Sequence, residues 1–272
     1  MKKENAMWAV GYVVIFLAIQ EIAHLGVLAC FQLMGDKAPS TAVGTIVSMV
    51  VFALLSIALF TWARWSPVSR HWIMTRPWGV LAWSAVASLG VVIPSIFVQE
   101  LFPAWPEAIQ RYIEAMEAQA ALLLSTTGGY AVVCLLAPVA EELVFRGAAL
   151  RTLLAWQPER RWLMITLSAL LFALAHLNPA QLLHPFAIGL LLGWMYERTG
   201  SILPGVVFHW ANNTVAYLMF HAYPSTDIRL IDIFSQQQHV VMAVFFSLLI
   251  FLPAIYELNR RMNRGKGDRV SS

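Results

Sequence analysis

Three apolar runs in the second half of the chain carry residues that could perform hydrolytic chemistry. The first reads Ala140-Glu141-Glu142-Leu143-Val144-Phe145-Arg146-Gly147. Glu142 and Arg146 are four apart, so in a helix they share a face and can pair. Glu141 is turned about 100° from Glu142 and is left as a carboxylate facing a cavity. The second run ends Phe172-Ala173-Leu174-Ala175-His176, and the third contains His209-Trp210-Ala211-Asn212-Asn213, where His209 and Asn213 point the same way. Peptide hydrolysis needs a base for water and donors for a tetrahedral oxyanion. A carboxylate and an imidazole can serve as the first, and imidazole and carboxamide N–H groups as the second. No Ser or Cys is paired with a base, which disfavours a covalent nucleophile. Two Glu and two His could also hold zinc, although H-E-x-x-H is absent from the sequence.

Each feature alone has an ordinary reading. An ion pair four apart on a helix is structural, a lone His packs, and an Asn ties membrane helices together. Together, Glu141, His176, His209, Asn213 and the Glu142–Arg146 pair lie on three runs that are otherwise apolar. Ionisable groups inside lipid are costly, and such a cluster reads as a functional cavity.

The elements that must position these groups are membrane helices. The 272 residues are 59% hydrophobic and 12% charged, about half the charged fraction of a soluble domain. Apolar runs at 7–34, 42–63, 79–99, 130–154, 161–177, 182–197, 202–220 and 239–258 predict an all-α polytopic protein of about eight spans. The runs 161–177 and 182–197 are short, as tilted or bundle-buried helices would be. Between 104 and 124, Glu107, Arg111, Glu114 and Glu117 recur at helical spacing, predicting an amphipathic surface helix. The polar, basic stretch from Arg260 to Ser272 reads as disordered. The chain thus divides into N-terminal helices with the amphipathic segment (1–129), a core that carries the chemistry (130–220), and a last span with a basic tail (221–272).

With a cytoplasmic N-terminus and eight spans, all of the 18 Lys and Arg lie on the inside except Lys37, Arg111, Arg229 and Arg146, which is within a span. That bias matches the positive-inside rule, and it explains the net charge of +3 without a nucleic-acid partner. The expected setting is a cell membrane with both termini cytoplasmic, or an endoplasmic reticulum membrane in a eukaryote. Cys30 and Cys134 form no C-x-x-C pattern, so neither a zinc cluster nor a disulfide framework is expected. On this arrangement Glu141 lies roughly 17 Å from the outer end of its span, and His209 about 10 Å and His176 about 22 Å from the inner ends of theirs. These depths are compatible with one cavity.

Other polar residues read as structural. Gln20, Glu21 and His24 either line the same cavity or satisfy each other, the second being favoured. His184 opens a helix before Pro185. Gly189 and Gly193 form a G-x-x-x-G pattern for close helix contact. Pro138 should kink the fourth span beside Glu141.

The set Glu141-Glu142-x-x-x-Arg146, Phe172-x-x-x-His176 and His209-x-x-x-Asn213 closely resembles the CPBP family of CAAX proteases and bacteriocin-processing enzymes, related to the Rce1-type prenyl-protein protease. The stretch Gly193 to Leu203 is similar to the family's linker before its last motif. The resemblance covers roughly 130–215. It implies an α-helical intramembrane endopeptidase acting on a membrane-associated peptide, prenylated or leader-type. By the same resemblance Glu141 and His176 activate water, His209 and Asn213 stabilise the oxyanion, and Glu142 and Arg146 support the site. The expected cofactor is none, with zinc at Glu141, His176 and His209 as the alternative. Competing readings are a scaffold or immunity-type protein that binds a peptide in the same cavity, and a proton- or ion-coupled transporter. The absence of an obvious inverted repeat argues against the transporter.

Overall fold

A computed structural model describes residues 5–33, 35, 41–67, 71–101, 105–223 and 228–267. Lys2, Lys3, Lys37, Arg70 and Arg269, which entered the orientation argument, lie outside the described residues, as do 268–272. Among the described residues all regular structure is helical.

The apolar runs fold as helices close to the expected bounds: α1 (Asn5–Leu33), α2 (Thr41–Trp62), a single turn α3 (His71–Met74) and α4 (Trp78–Glu100). The amphipathic segment is α5 (Glu107–Ser125). The run bearing the carboxylates is one continuous helix, α6, built of four pieces. Ala131–Leu136 and Leu143–Leu150 are wound in the wider five-residue π register, and Ala137–Glu142 and Arg151–Trp156 in the α register. Pro138 sits at the first junction and disturbs the helix by this change of register. Then follow α7 (Arg161–Ala175), α8 (Leu183–Thr199), α9 (Leu203–Ala222), a short α10 (Leu230–Phe234) and α11 (Gln237–Gly267).

Four of these helices are long and apolar enough to cross a membrane: Ala6–Leu33, Ala42–Trp62, Trp78–Glu100 and Gln237–Met262. The other four expected spans fall short for physical reasons. α7 and α8 have 15 and 17 residues, shorter than a typical span of roughly 20 and at or just below the short end of the range. α6 and α9 carry the polar side chains of the site. The long helices leave large apolar side chains such as Leu54, Leu55, Phe245, Phe246 and Leu252 exposed, as a membrane protein does toward lipid. α6 is the most enclosed element: every residue of Leu143–Leu150 is buried.

Three contacts fix the helices around α6. α1 and α2 bring Phe16 and Phe52 together at 4.7 Å between ring centroids, and Phe16 meets Phe145 of α6 edge-on at 5.7 Å. α7 packs along α8 because Gly189 and Gly193 have no side chain. A β-carbon on either would come 2.9 Å from Ala169 or Ile165, so the G-x-x-x-G pattern serves close contact as expected. α4 runs beside α9 and α11.

The tail departs from expectation. α11 continues to Gly267, so Arg260 to Gly267 is helical rather than disordered. Glu257 accepts from both Arg260 (2.9 Å) and Arg261 (3.0 Å), three and four residues on, and such pairs carry a helix past its apolar stretch.

Candidate active site

The lowest layer of the site is local to α6. Arg146 Nη1 donates to Glu142 Oε1 at 2.6 Å, and both side chains are fully buried. The ion pair expected from the spacing is present. Its guanidinium is held on two further sides: Nη2 donates to the Gly189 carbonyl of α8 (3.3 Å), and the group lies 4.4 Å over the Phe172 ring of α7. These contacts meet part of what the buried pair needs; Arg146 Nε and Glu142 Oε2 are buried without a hydrogen-bond partner among the described residues.

Above the pair sits His209 of α9. Its Nδ1 is 3.6 Å from Glu142 Oε1 and its Nε2 is 3.7 Å from Glu141 Oε2. One imidazole thus spans the two carboxylates, which point to different faces as their 100° offset demands. Glu141 keeps 20% of its side chain accessible, whereas Glu142 keeps none. Gly205, one turn before His209, makes room for this arrangement. A β-carbon there would lie 2.5 Å from Glu142 Oε2.

His176 ends α7. Its Nδ1 is 2.9 Å from the Phe172 carbonyl, and a carbonyl can only accept, so Nδ1 carries a proton and the neutral ring has its lone pair on Nε2. The Phe172 ring meets His176 edge-on at 4.8 Å and His209 at 5.8 Å. Phe145 packs on the other flank of Phe172 at 5.1 Å. Phe172 therefore joins the aromatic core to both imidazoles.

Asn213 lies one turn beyond His209, and its Nδ2 donates to the Val133 carbonyl of α6 at 2.9 Å. Asn212 and His184 also belong to this region, with Asn212 Nδ2 3.4 Å from His184 Nε2. Sequence reasoning set His184 aside as structural and passed over Asn212 and Gly205. The available signal was that Asn212 follows His209 by three residues and so neighbours it on the helix surface. Glu141 Oε2, Glu142 Oε2, His209 Nδ1 and Asn212 Oδ1 are all buried without a hydrogen-bond partner among the described residues. Native interiors rarely leave such atoms unmet, and their concentration at one place marks a site built to receive polar groups.

Residues 123–215 match the Rce1-like family, type II CAAX prenyl endopeptidases. The Rce1-like segment begins at the C-terminal end of α5 and ends on α9. It contains Glu141, Glu142, Arg146, Phe172, His176, His209 and Asn213, and it coincides with the stretch on which the sequence resemblance rested. No curated protein and no solved structure matches the chain.

Not every polar residue weighed from the sequence joins the Rce1-like segment. Glu21 and His24 are exposed on α1, with no hydrogen bond or ion pair to the site or to each other. α1 packs by its other face, through Tyr12, Phe16 and Ala23. The zinc alternative also fits poorly. Among the described residues no three His, Cys, Asp or Glu side chains are grouped to hold a metal ion.

Proposed function

We propose that the protein is an intramembrane endopeptidase that hydrolyses a peptide bond in a membrane-associated, CAAX-type substrate. The observation that carries this reading is the approach of Glu141 Oε2 to His209 Nε2 at 3.7 Å above a buried Glu142–Arg146 pair. A base and an oxyanion donor at that spacing leave a common position about 2.8 Å from each, where a water or a reacting carbonyl can sit. The match to type II CAAX prenyl endopeptidases supports the substrate class.

In this reading Glu141 takes a proton from water, assisted by the lone pair on His176 Nε2. The resulting hydroxide attacks the scissile carbonyl. The oxygen that becomes negative is met by N–H donors from His209 and Asn213. Glu142 and Arg146 hold His209 from below, and the proton returns to the leaving amine as the C–N bond breaks. No step is routed through a metal.

The protein is further proposed to cross the membrane eight times with both termini cytoplasmic, around a central unit at 130–220. Ser271→Cys, in a chain freed of Cys30 and Cys134, should react with an impermeant maleimide only after permeabilisation. Labelling of intact cells rejects that topology.

The activity is tested with a peptide ending in a CAAX tetrapeptide whose Cys is farnesylated. Glu141→Ala and His176→Ala should abolish cleavage while the purified protein stays folded, and activity should persist in strong chelator. Full cleavage by both variants would falsify the assignment. Loss in chelator that zinc restores would reinstate a metal mechanism.

A further inference from the structure

Asn213 does not sit freely beside His209. In the π-wound stretch Ala131–Leu136, the Ala137 N–H reaches back five residues to the Val132 carbonyl. The next bond in that register would join the Val133 carbonyl to residue 138, and Pro138 has no N–H. Pro138 thereby orphans the Val133 oxygen. A carbonyl stranded within a membrane helix bundle needs a donor, and Asn213 Nδ2 supplies it at 2.9 Å.

Because a carbonyl only accepts, this one contact sets the polarity of all that follows. Asn213 must turn Nδ2 to Val133 and Oδ1 away from it. That Oδ1 is met by Asn212 Nδ2 at 3.5 Å, and the same Nδ2 is 3.4 Å from His184 Nε2. Facing both, it requires a lone pair on Nε2, which puts the His184 proton on Nδ1. Asn212 is 7% exposed, so little water is at hand to substitute for either partner. The chain His184–Asn212–Asn213–Val133 crosses from α8 through α9 to α6 and leaves one Asn213 N–H uncommitted.

We infer that His184, Asn212 and Pro138 are positioning residues that lock the Asn213 carboxamide in the one orientation that offers an N–H to the oxyanion. The inference rests on the peptidase reading above. A carboxamide is nearly symmetric in shape, and turned over it would present Oδ1, which repels an oxyanion. None of the three residues touches the substrate; each acts through Asn213.

The test uses the full chain and the farnesylated peptide. His184→Phe removes the acceptor and keeps a ring, His184→Gln keeps an acceptor, and Asn212→Leu removes the donor. Pro138→Ala restores an N–H that competes with Asn213 for Val133. His184→Phe, Asn212→Leu and Pro138→Ala should each lower kcat about tenfold or more with KM nearly unchanged, and His184→Gln should recover most of the loss relative to Phe. Selective 15N-Asn labelling reads the same network without substrate: exchange of the Asn213 side-chain protons should quicken in Pro138→Ala. Equal rates for the Phe and Gln variants, a change confined to KM, or unaltered exchange in Pro138→Ala overturns the inference. Glu141→Ala run alongside separates the two ideas. If it is inactive while the three positioning variants turn over normally, the positioning role alone fails; if it cleaves like the wild type, the peptidase reading fails.

Discussion

Gly205 abuts Glu142: a β-carbon on the glycine would lie 2.5 Å from the carboxylate Oε2, with Leu192 Cδ2 3.5 Å away behind it. Helix α9 lacks a side chain at the point where the buried carboxylate needs volume. Gly205→Ala should therefore push Glu142 against a partner that cannot move, since its other oxygen is held by Arg146. A loss of about 1–3 kcal/mol is expected, together with reduced turnover, because His209 loses its support. Thermal unfolding in detergent and a steady-state assay check both; wild-type stability would mean that the carboxylate has room to spare.

The Glu142–Arg146 pair should show the asymmetry of buried charges. Glu142→Leu or Arg146→Met alone leaves an uncompensated ion and should cost about 3–5 kcal/mol, whereas the double variant should be much less unstable than the two losses added. A double-mutant cycle on unfolding free energies measures this. Strict additivity would show that the two groups do not depend on each other.

Phe172 contacts Phe145, Arg146, His176 and His209 at once. Phe172→Ala should lose about 3–5 kcal/mol and release both imidazoles. Phe172→Leu, which refills much of the space, should recover stability before it recovers turnover. Parallel recovery of the two would mean that the ring fills volume without orienting the histidines.

Tyr112 of the amphipathic helix α5 donates to the Leu177 carbonyl at 2.7 Å. Leu177 follows His176 directly and holds a left-handed backbone angle, φ +53°, which costs about 1–2 kcal/mol for a residue with a β-carbon. Tyr112→Phe removes a tie worth roughly 0.5–1.5 kcal/mol. Hydrogen exchange at 176–178 should accelerate while the rest of α7 is unaffected. Exchange that stays at the wild-type rate would show that α5 does not hold this turn.

Much of the architecture was legible because its causes are local. The run 79–99 emerges as Trp78–Glu100, since an uninterrupted apolar stretch has no cheaper conformation in lipid than a helix. Glu142 and Arg146 were readable as a pair because four residues of helix bring them together whatever surrounds them. Tail residues Arg260 to Gly267 were misread for the complementary reason: polarity was taken for disorder, while Glu257 and the arginines after it sustain the helix. The π register of α6 left no periodic trace, because a widened turn depends on what its neighbours allow rather than on composition.

By itself the sequence determined the helical, membrane-embedded class, the helices that bear the polar groups, and the ion pair within one of them. Each follows from hydrophobicity and helical pitch over a few tens of residues. The tertiary structure alone decided that His209 faces both carboxylates, that Gly205 clears space for one of them, and that Asn213 answers a carbonyl stranded by Pro138. These contacts join residues far apart in the chain, and their distances depend on how helices pack side by side, which no local pattern encodes.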